Sequence, residues 1–254
     1  MKESKFIIAG FVLLISFSST VWAEEKFYIS KEEINNKVKA LAIMPTENII
    51  YETVNDAYAN SYDFQRLAGY GMFNPKGFLI LKDKTFIDSI ALITDALVYH
   101  KLDDSKKYSI ISSLDMSEKK DVALSIMKIP KELNPITTIK KTINKKDFIK
   151  SLFDSLSTDA ILCISYQMTT AEVNNSIAKW DSYSENYDIS AMGKWDGNTP
   201  AFSMVGIMFG REGDTLWTGR YGMRVLNRRT TGENIFEDDR IKEATKKIFK
   251  KLLK

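Results

Sequence analysis

Residues 201–226, AFSMVGIMFGREGDTLWTGRYGMRVL, predict the element that decides the fold, an antiparallel β-hairpin. An apolar stretch, 201–209, is followed by the glycine-containing turn 210–214 and then by a second strand-like stretch, 215–226. This order of apolar run, turn residues and apolar run is typical of two hairpin strands. Large apolar and polar residues alternate along the second stretch, so we expect one face to pack on a core and the other to be polar.

Further strands and helices are predicted on both sides of this hairpin. Residues 160–167 (AILCISYQ) are almost continuously apolar, which is typical of a strand covered on both faces. Residues 38–44 (VKALAIM) predict a second buried strand. Helical spacing of apolar residues predicts helices from Thr85 to about 99, over 144–156, and from Glu237 to the C terminus. Weaker patterns predict strands at 108–114 and 137–143 and a helix at 117–128.

Together these elements predict an α/β fold, or its α+β variant. We expect a mixed sheet flanked by helices, with the hairpin and an amphipathic helix at its C-terminal end. Residues 24–254 are expected to form one domain, which the polar stretch 26–36 leads into. Two stretches lack clear periodicity and are expected to be irregular excursions, namely 46–80 and 171–199.

The N terminus has the three-part pattern of an export signal. Two lysines lie among the first five residues, an apolar run covers 6–17, and Val21-Trp22-Ala23 follows. Cleavage is expected between Ala23 and Glu24, leaving 231 residues in the periplasm or secreted, with no stable membrane span. The alternative is an uncleaved anchor, although a helix needs about 20 apolar residues to span a bilayer.

The overall composition argues against several classes of function. The 36 basic and 33 acidic residues nearly balance, whereas a nucleic-acid-binding protein is expected to have a clear basic surplus. His100 is the only histidine and Cys163 the only cysteine, which excludes a histidine-based metal cluster and an intramolecular disulfide. No nucleophile elbow, Walker motif or dinucleotide-binding motif is present. We therefore predict no catalytic residue, metal or cofactor.

The two single residues still have alternative roles. Cys163 lies within an apolar run and is expected to be a small buried hydrophobic residue, with a nucleophile or an intermolecular bridge as the alternative. His100 is expected at a helix end or on the surface, because it follows the predicted helix that begins near Thr85.

A concentration of arginines gives the first candidate for a binding surface. Five of the seven arginines of the chain lie within nineteen residues, and arginine binds carboxylates in a bidentate manner. The alternative is a solvated strand edge and loop whose charges discourage edge-to-edge pairing. Two tryptophans of segment 171–199 are added to this surface. The candidates are Arg211, Arg220, Arg224, Arg228, Arg229, Trp180 and Trp195.

Two other regions suggest alternative functions. The C-terminal helix is expected to dock on the core with a solvated lysine face, but it could instead make peripheral contact with a membrane. Segment 171–199 combines aromatic residues with carboxylates, so a carbohydrate-binding or carbohydrate-active protein is the second hypothesis. Its acidic residues are Asp181, Glu185, Asp188 and Asp196.

Three segments carry a resemblance to known proteins: 39–45 (KALAIMP), 156–164 (LSTDAILCI) and 213–219 (GDTLWTG). They resemble the first strand, the helix-to-strand unit and the tryptophan-ended hairpin of bacterial envelope proteins related to the TolB amino-terminal domain, CsgG and penicillin-binding-protein activator lipoproteins. The resemblance implies a mixed sheet flanked by helices and a non-catalytic role in protein–protein interaction. The cysteine at which many of those proteins are lipidated is missing here. We therefore expect a soluble envelope accessory protein whose partner is another envelope protein.

Overall fold

The structure is a computed structural model that describes residues 25–46, 83–111, 153–154, 156–187, 194, 196–227 and 229–254. The strands of these residues are β1 (Glu25–Phe27), β2 (Ala40–Ile43), β3 (Ser109–Ile111), β4 (Ala160–Asn174), β5 (Ile177–Trp180), β6 (Tyr183–Asn186), β7 (Gly197–Gly210) and β8 (Thr215–Val225). The helices are α1 (Lys31–Lys37), α2 (Lys84–Asp103), α3 (Gly232–Ile235) and α4 (Asp238–Ile248).

The described strands form one mixed sheet. Its order is β1-β8-β7-β4-β2-β3, and β5 and β6 continue from the far end of β4. β2 runs parallel to β3 and β4, whereas β4, β7, β8 and β1 are antiparallel to one another in turn. α2 lies in the connection from β2 to β3, because parallel neighbours need a long crossover. The predicted fold class, a mixed sheet with helices, is confirmed.

A polar clamp sets the start of β2 beside the start of β4. The Asp159 Oδ2 atom accepts hydrogen bonds from the backbone N–H groups of Lys39 and Ala40, both at 2.9 Å. Thr158 donates its hydroxyl to the Ala40 carbonyl at 2.8 Å. Both clamp residues belong to the segment LSTDAILCI, so that part of the resemblance rests on residues that here align two parallel strands.

Trp217 joins the hairpin to both ends of the described chain. It is fully buried, stacks on Phe249 with ring centroids 5.5 Å apart, and donates its Nε1–H to Glu25 at 3.1 Å. A Cβ atom at Gly219 would lie 2.5 Å from the Trp217 ring, closer than real contacts allow. The Trp-Thr-Gly part of the third resembling segment therefore has a packing role.

The main core lies between one face of the sheet and the four described helices. Ile34 of α1, Val98 of α2 and Ile248 of α4 are all fully buried in it. The apolar side of α4 accounts for the amphipathic pattern of the C-terminal sequence, since Ile241, Ala244 and Ile248 all face this core. The opposite face of the sheet carries a second cluster, to which Phe153, Leu156 and Cys163 belong.

Most of the predicted elements that fall on described residues are present. The hairpin is β7 and β8, the two apolar runs are β2 and β4, and the two long helices are α2 and α4. α2 begins one residue before the predicted start at Thr85 and is capped by Asp83, whose carboxylate accepts from the Thr85 N–H at 2.9 Å. The interpretation of 26–36 as a mere lead-in is wrong, because β1 and α1 lie there. The predictions for 46–80 fall almost wholly outside the described residues, as do those for 117–128, 137–143 and 144–152.

The described residues of segment 171–199 lie mostly in strands, which corrects the predicted irregular excursion. β4 extends to Asn174, β5 and β6 form a second hairpin, and β7 already begins at Gly197. Both turns have two residues with positive φ, Asn175-Ser176 (50° and 62°) and Asp181-Ser182 (40° and 58°). Such turns match the twist of a hairpin but usually contain glycine. Because neither turn contains glycine, no clear hairpin signal is present in this part of the sequence.

Candidate functional site

The β5–β6 hairpin folds back towards β8 and forms, with that strand, the region that contains two of the predicted surface arginines. A small apolar cluster lies beneath it and includes Ala178, Trp180 and Val225. A β-bulge at the adjoining end of β7 and β8 pairs Phe202 with Arg224 but Ser203 with Gly222. Bulges strengthen local twist and redirect side chains, and this one lies where β8 meets the hairpin.

Arg220 pairs with the carboxylate at the tip of the β5–β6 hairpin. Its guanidinium lies 3.3 Å from the Asp181 Oδ2 atom, which also accepts the Ser203 hydroxyl at 2.6 Å. The Asp181 side chain is only 16% exposed, and Asp181 also offers its backbone carbonyl to the Gly222 N–H at 3.2 Å. Asp181 therefore contacts both β7 and β8.

Arg224 makes the second and more buried pair. Its Nη1 atom lies 2.6 Å from the Glu185 Oε1 atom, and the two side chains are 21% and 15% exposed. The other Glu185 oxygen accepts from the Val225 N–H at 3.0 Å. The Arg224 Nε atom is buried and has no hydrogen-bond partner among the described residues. Removing either charged partner would leave the other partly desolvated, so this pair is expected to fix the hairpin on β8.

Backbone and side chains approach closely where the hairpin covers β8. A Cβ atom at Gly222 would lie 2.6 Å from the Trp180 Nε1 atom and 2.7 Å from the Tyr183 Cβ atom. The Trp180 Nε1–H donates to the Phe202 carbonyl at 3.1 Å, and the Trp180 and Tyr183 rings meet edge to face at 5.0 Å. The absence of a side chain at Gly222 is therefore required by this contact.

Arg240 of α4 belongs to the same arrangement, although it is not among the predicted surface residues. It donates to the Tyr183 hydroxyl at 3.0 Å and to the Met223 carbonyl at 2.9 Å, and it pairs with Glu237. Arg240 thus connects the C-terminal helix to both the hairpin and β8. Its sequence position, sixteen residues beyond Arg224, carries no signal that would have predicted this contact.

Two of the other predicted surface residues, Arg211 and Arg229, also fall on described residues. Arg211 lies in the β7–β8 turn, at the opposite end of β8, where it forms an exposed ion pair with Asp154. Arg229 is exposed in the loop after β8, and its backbone N–H donates to the Asn227 side chain at 2.8 Å. Arg228 and Trp195 lie outside the described residues. Among the described residues, the structure brings Arg220 and Arg224 together, and each contacts a hairpin carboxylate.

The assignment of Trp180 to a partner surface is wrong, because Trp180 is only 6% exposed. Tyr187, in the same segment, is 2% exposed, so neither ring is available to stack on a sugar. Asp181 and Glu185 are engaged with arginines, and Asp196 accepts the Asn175 N–H at 2.6 Å. Asp188 lies outside the described residues. The described part of 171–199 thus uses its aromatic and acidic residues for its own packing.

The chemically reactive single residues take the ordinary structural roles expected of them. Cys163 is buried, and burial raises the pKa of its thiol to about 12, which keeps it a protonated and unreactive thiol at neutral pH. His100 is exposed in the last turn of α2 and packs edge to face on Tyr99. Among the described residues, no group of three or more histidines, cysteines or carboxylates is arranged to hold a metal ion.

The C-terminal segment, residues 242–254, is a second charged region of the structure, and Glu25 holds its end in place. The Glu25 carboxylate is 3% exposed and accepts from the backbone N–H groups of Lys251 and Leu252 as well as from Trp217. Burial raises the pKa of Glu25, and these hydrogen bonds oppose that rise. Lys107 donates to the Leu252 carbonyl at 2.6 Å. The end of the chain is thereby bonded to β1 and to the segment that precedes β3.

The described helices include none that is both long enough and apolar enough to cross a bilayer. No protein-family model, curated protein or solved structure matches the chain.

Proposed function

We propose that the chain is an exported, non-catalytic accessory protein of the bacterial envelope that acts by binding another protein. Three features support this proposal. The sequence begins with an export-signal pattern, it resembles envelope interaction proteins in three segments, and the fold is of the class that this resemblance implies.

The observation that carries the proposal is the fixed β5–β6 hairpin. Asp181 and Glu185 bond it to β8, so its outward face is presented on a defined support rather than on a free loop. A surface that is already ordered loses less conformational entropy when a partner binds. We therefore place the partner surface on the hairpin and not on the arginines beneath it.

Two cross-strand pairs form the outward face of the hairpin: Ile177 lies opposite Asn186, and Lys179 opposite Ser184. All four residues are exposed, and Ile177 is one of the few large apolar side chains exposed in the described residues, at 40%. An apolar residue surrounded by small polar ones can form the centre of a modest interface.

In-cell photo-crosslinking tests this surface. A crosslinking amino acid at position 184 is expected to capture one envelope protein, and Ile177→Asp is expected to abolish that adduct while leaving the protein folded. The matched control places the same crosslinker at position 36, which is exposed on α1. Identical products from positions 184 and 36, or an adduct unaffected by Ile177→Asp, would overturn the proposed surface.

A further inference from the structure

We propose that the C-terminal segment is a docking surface for an anionic lipid bilayer, and that the contact is electrostatic. Four residues form what we call the lysine stripe: Lys242, Lys246, Lys250 and Lys254. This inference concerns a different surface from the hairpin and does not depend on it.

Charge is concentrated at this end of the chain. Residues 242–254 contain six lysines and one acid, Glu243, which gives them a surplus of five positive charges. The whole chain has a net charge of +3, so the remaining residues together are net negative, at −2. The nearest acidic run, Glu237-Asp238-Asp239, lies at the other end of α4. The positive charge is therefore local and is not a property of the surface as a whole.

The lysine stripe has a regular spacing and is free of ion pairs within the described structure. Its members recur every fourth residue, which places them on one side of a helix. The chain continues in helical turns beyond α4, since Lys250 and Leu253 donate their N–H groups to the carbonyls of Lys247 and Phe249. All four side chains are exposed, and none of the ion pairs formed by described residues involves them.

The helix dipole does not explain this pattern. Basic residues are favoured in the last turn of a helix, which accounts for Lys246 and Lys247, but the effect decays within that turn. Lys242 lies one turn earlier, and Lys250 and Lys254 lie beyond the end of α4. The lysines are also not needed to keep an exposed apolar face soluble, because the apolar face of α4 is packed against the core.

The burial of the apolar side also determines the mode of binding. Ile241, Ile248 and Leu252 are each 0% exposed, so α4 cannot insert its apolar side into a bilayer without leaving the core. The folded protein therefore cannot bind a membrane by inserting the apolar side of this amphipathic helix. What remains available is a row of exposed ammonium groups on a segment whose backbone is hydrogen-bonded to Glu25 and Lys107.

Lysine chemistry favours a bilayer over a single phosphate group as the ligand. Lysine acts as a compact point charge on a flexible stem, whereas specific phosphate recognition commonly uses the planar donor fork of arginine. No arginine lies within 242–254. Clustered lysines are attracted to anionic lipid headgroups through the surface potential, without a fixed binding geometry.

Vesicle co-sedimentation of the exported chain tests the proposal. We expect binding to vesicles with about 30% phosphatidylglycerol, no binding to pure phosphatidylcholine vesicles, and loss of binding as salt rises from about 50 mM to about 500 mM. Replacing Lys242, Lys246, Lys250 and Lys254 together by Gln is expected to weaken binding at least ~30-fold, because each lysine near the surface contributes several-fold.

A control variant with the same change of net charge separates position from total charge. It carries Gln at four exposed positions remote from α4 in sequence and outside the hairpin, replacing Lys26, Lys37, Lys39 and Lys194. This variant is expected to bind within about threefold of the wild type. Equal losses in both variants, salt-independent binding, or equal binding to neutral vesicles would overturn the proposal. So would absence of vesicle binding together with stripe-dependent binding to DNA or to a protein.

Circular dichroism shows whether a loss of vesicle binding reflects misfolding. Both Gln variants change only exposed lysines and should retain the wild-type spectrum. Failure here would leave the crosslinking result at position 184 unaffected, so the two proposals can fail separately.

Discussion

Strand β8 and the C-terminal segment 242–254 are both rich in basic residues, but the two regions differ in what those residues contact. The two β8 arginines are part of the protein's own packing: Arg220 and Arg224 face Asp181 and Glu185 of the β5–β6 hairpin. The lysine stripe has no such acidic partner among the described residues and points to solvent. Basic residues that look alike in a sequence can thus serve either internal stability or an external surface, and the positions of the acids decide which.

The difference follows from the chemistry of the two side chains. The planar guanidinium group of arginine fits a carboxylate and tolerates partial burial, so an arginine on a strand is well suited to a structural ion pair. Lysines on the exposed side of a helix lose side-chain entropy when they are held in ion pairs, and exposed ion pairs contribute little to the free energy of unfolding. The two regions therefore predict opposite mutational profiles: loss of stability at β8 and loss of binding at the stripe.

Gly222→Ala is expected to give the largest loss of stability. The new methyl group would overlap Trp180 and Tyr183 and would push the hairpin away from β8, at a cost of about 3 kcal/mol in the free energy of unfolding. Urea denaturation measures this cost. Gly210→Ala is the control, because its closest neighbour is the end of the exposed Asp214 side chain, which can move; we expect less than about 1 kcal/mol there. Equal costs would show that the hairpin contact is looser than described.

Glu25→Ala is expected to destabilise the C-terminal segment by about 2–3 kcal/mol, since it leaves the Trp217 Nε1–H and two backbone N–H groups without their acceptor. Hydrogen exchange of the Lys251 and Leu252 amides should be faster in this variant than in the wild type. Unchanged exchange at those two amides would contradict the assigned role of Glu25.

The same residue predicts a pH dependence. Because burial raises the folded-state pKa of Glu25, the folded state binds its proton more tightly than the unfolded chain does. Protonation of Glu25 therefore stabilises the folded state; this contribution is fully present below the ordinary glutamate pKa and is lost as pH rises through the raised folded-state value. In urea titrations between about pH 4 and pH 7, the stability of the wild type relative to Glu25→Ala is expected to fall as pH rises. A difference that grows with pH would contradict this sign.

The smallest effect is expected at the stripe. Replacing its four lysines by Gln should change the free energy of unfolding by less than about 0.5 kcal/mol, because exposed and unpaired side chains contribute little to folding. Thermal and urea unfolding of the variant check this. Labelling of Cys163 offers a second readout, since its buried thiol should react only when the protein opens. Faster labelling of the stripe variant would mean that the lysines also stabilise the fold.

The sequence predicted the fold class because its signals are local and repetitive. The alternation along β8, the continuous apolar run of β4 and the helical spacing in α4 each report which side of one element is buried. β1 was missed because three residues are too few for a pattern, and its place beside β8 is fixed by contacts such as that between Glu25 and Leu252, 227 residues apart.

The candidate site was harder to predict because it depends on pairs that are distant in sequence. The arginine cluster was visible, but its partners Asp181 and Glu185 lie about 40 residues earlier, in a segment whose turns lack glycine. Trp180 was placed on the surface because segment 171–199 was predicted to be an irregular excursion, yet it fills the space that Gly222 leaves. Arg240 gave no signal at all. Composition shows which charges exist, but only the strand register shows which of them meet.

A double-mutant cycle on Arg224 and Glu185 tests the central claim that the β8 arginines stabilise the hairpin rather than contact a partner. The variants are Arg224→Gln, Glu185→Gln and the double change, and the amide at position 185 retains an acceptor for the Val225 N–H. We predict a coupling energy of about 1–2 kcal/mol in urea unfolding, because both side chains are mostly buried. A coupling energy near zero, with Arg224→Gln fully stable yet unable to form the position-184 crosslink, would show instead that Arg224 belongs to the partner surface.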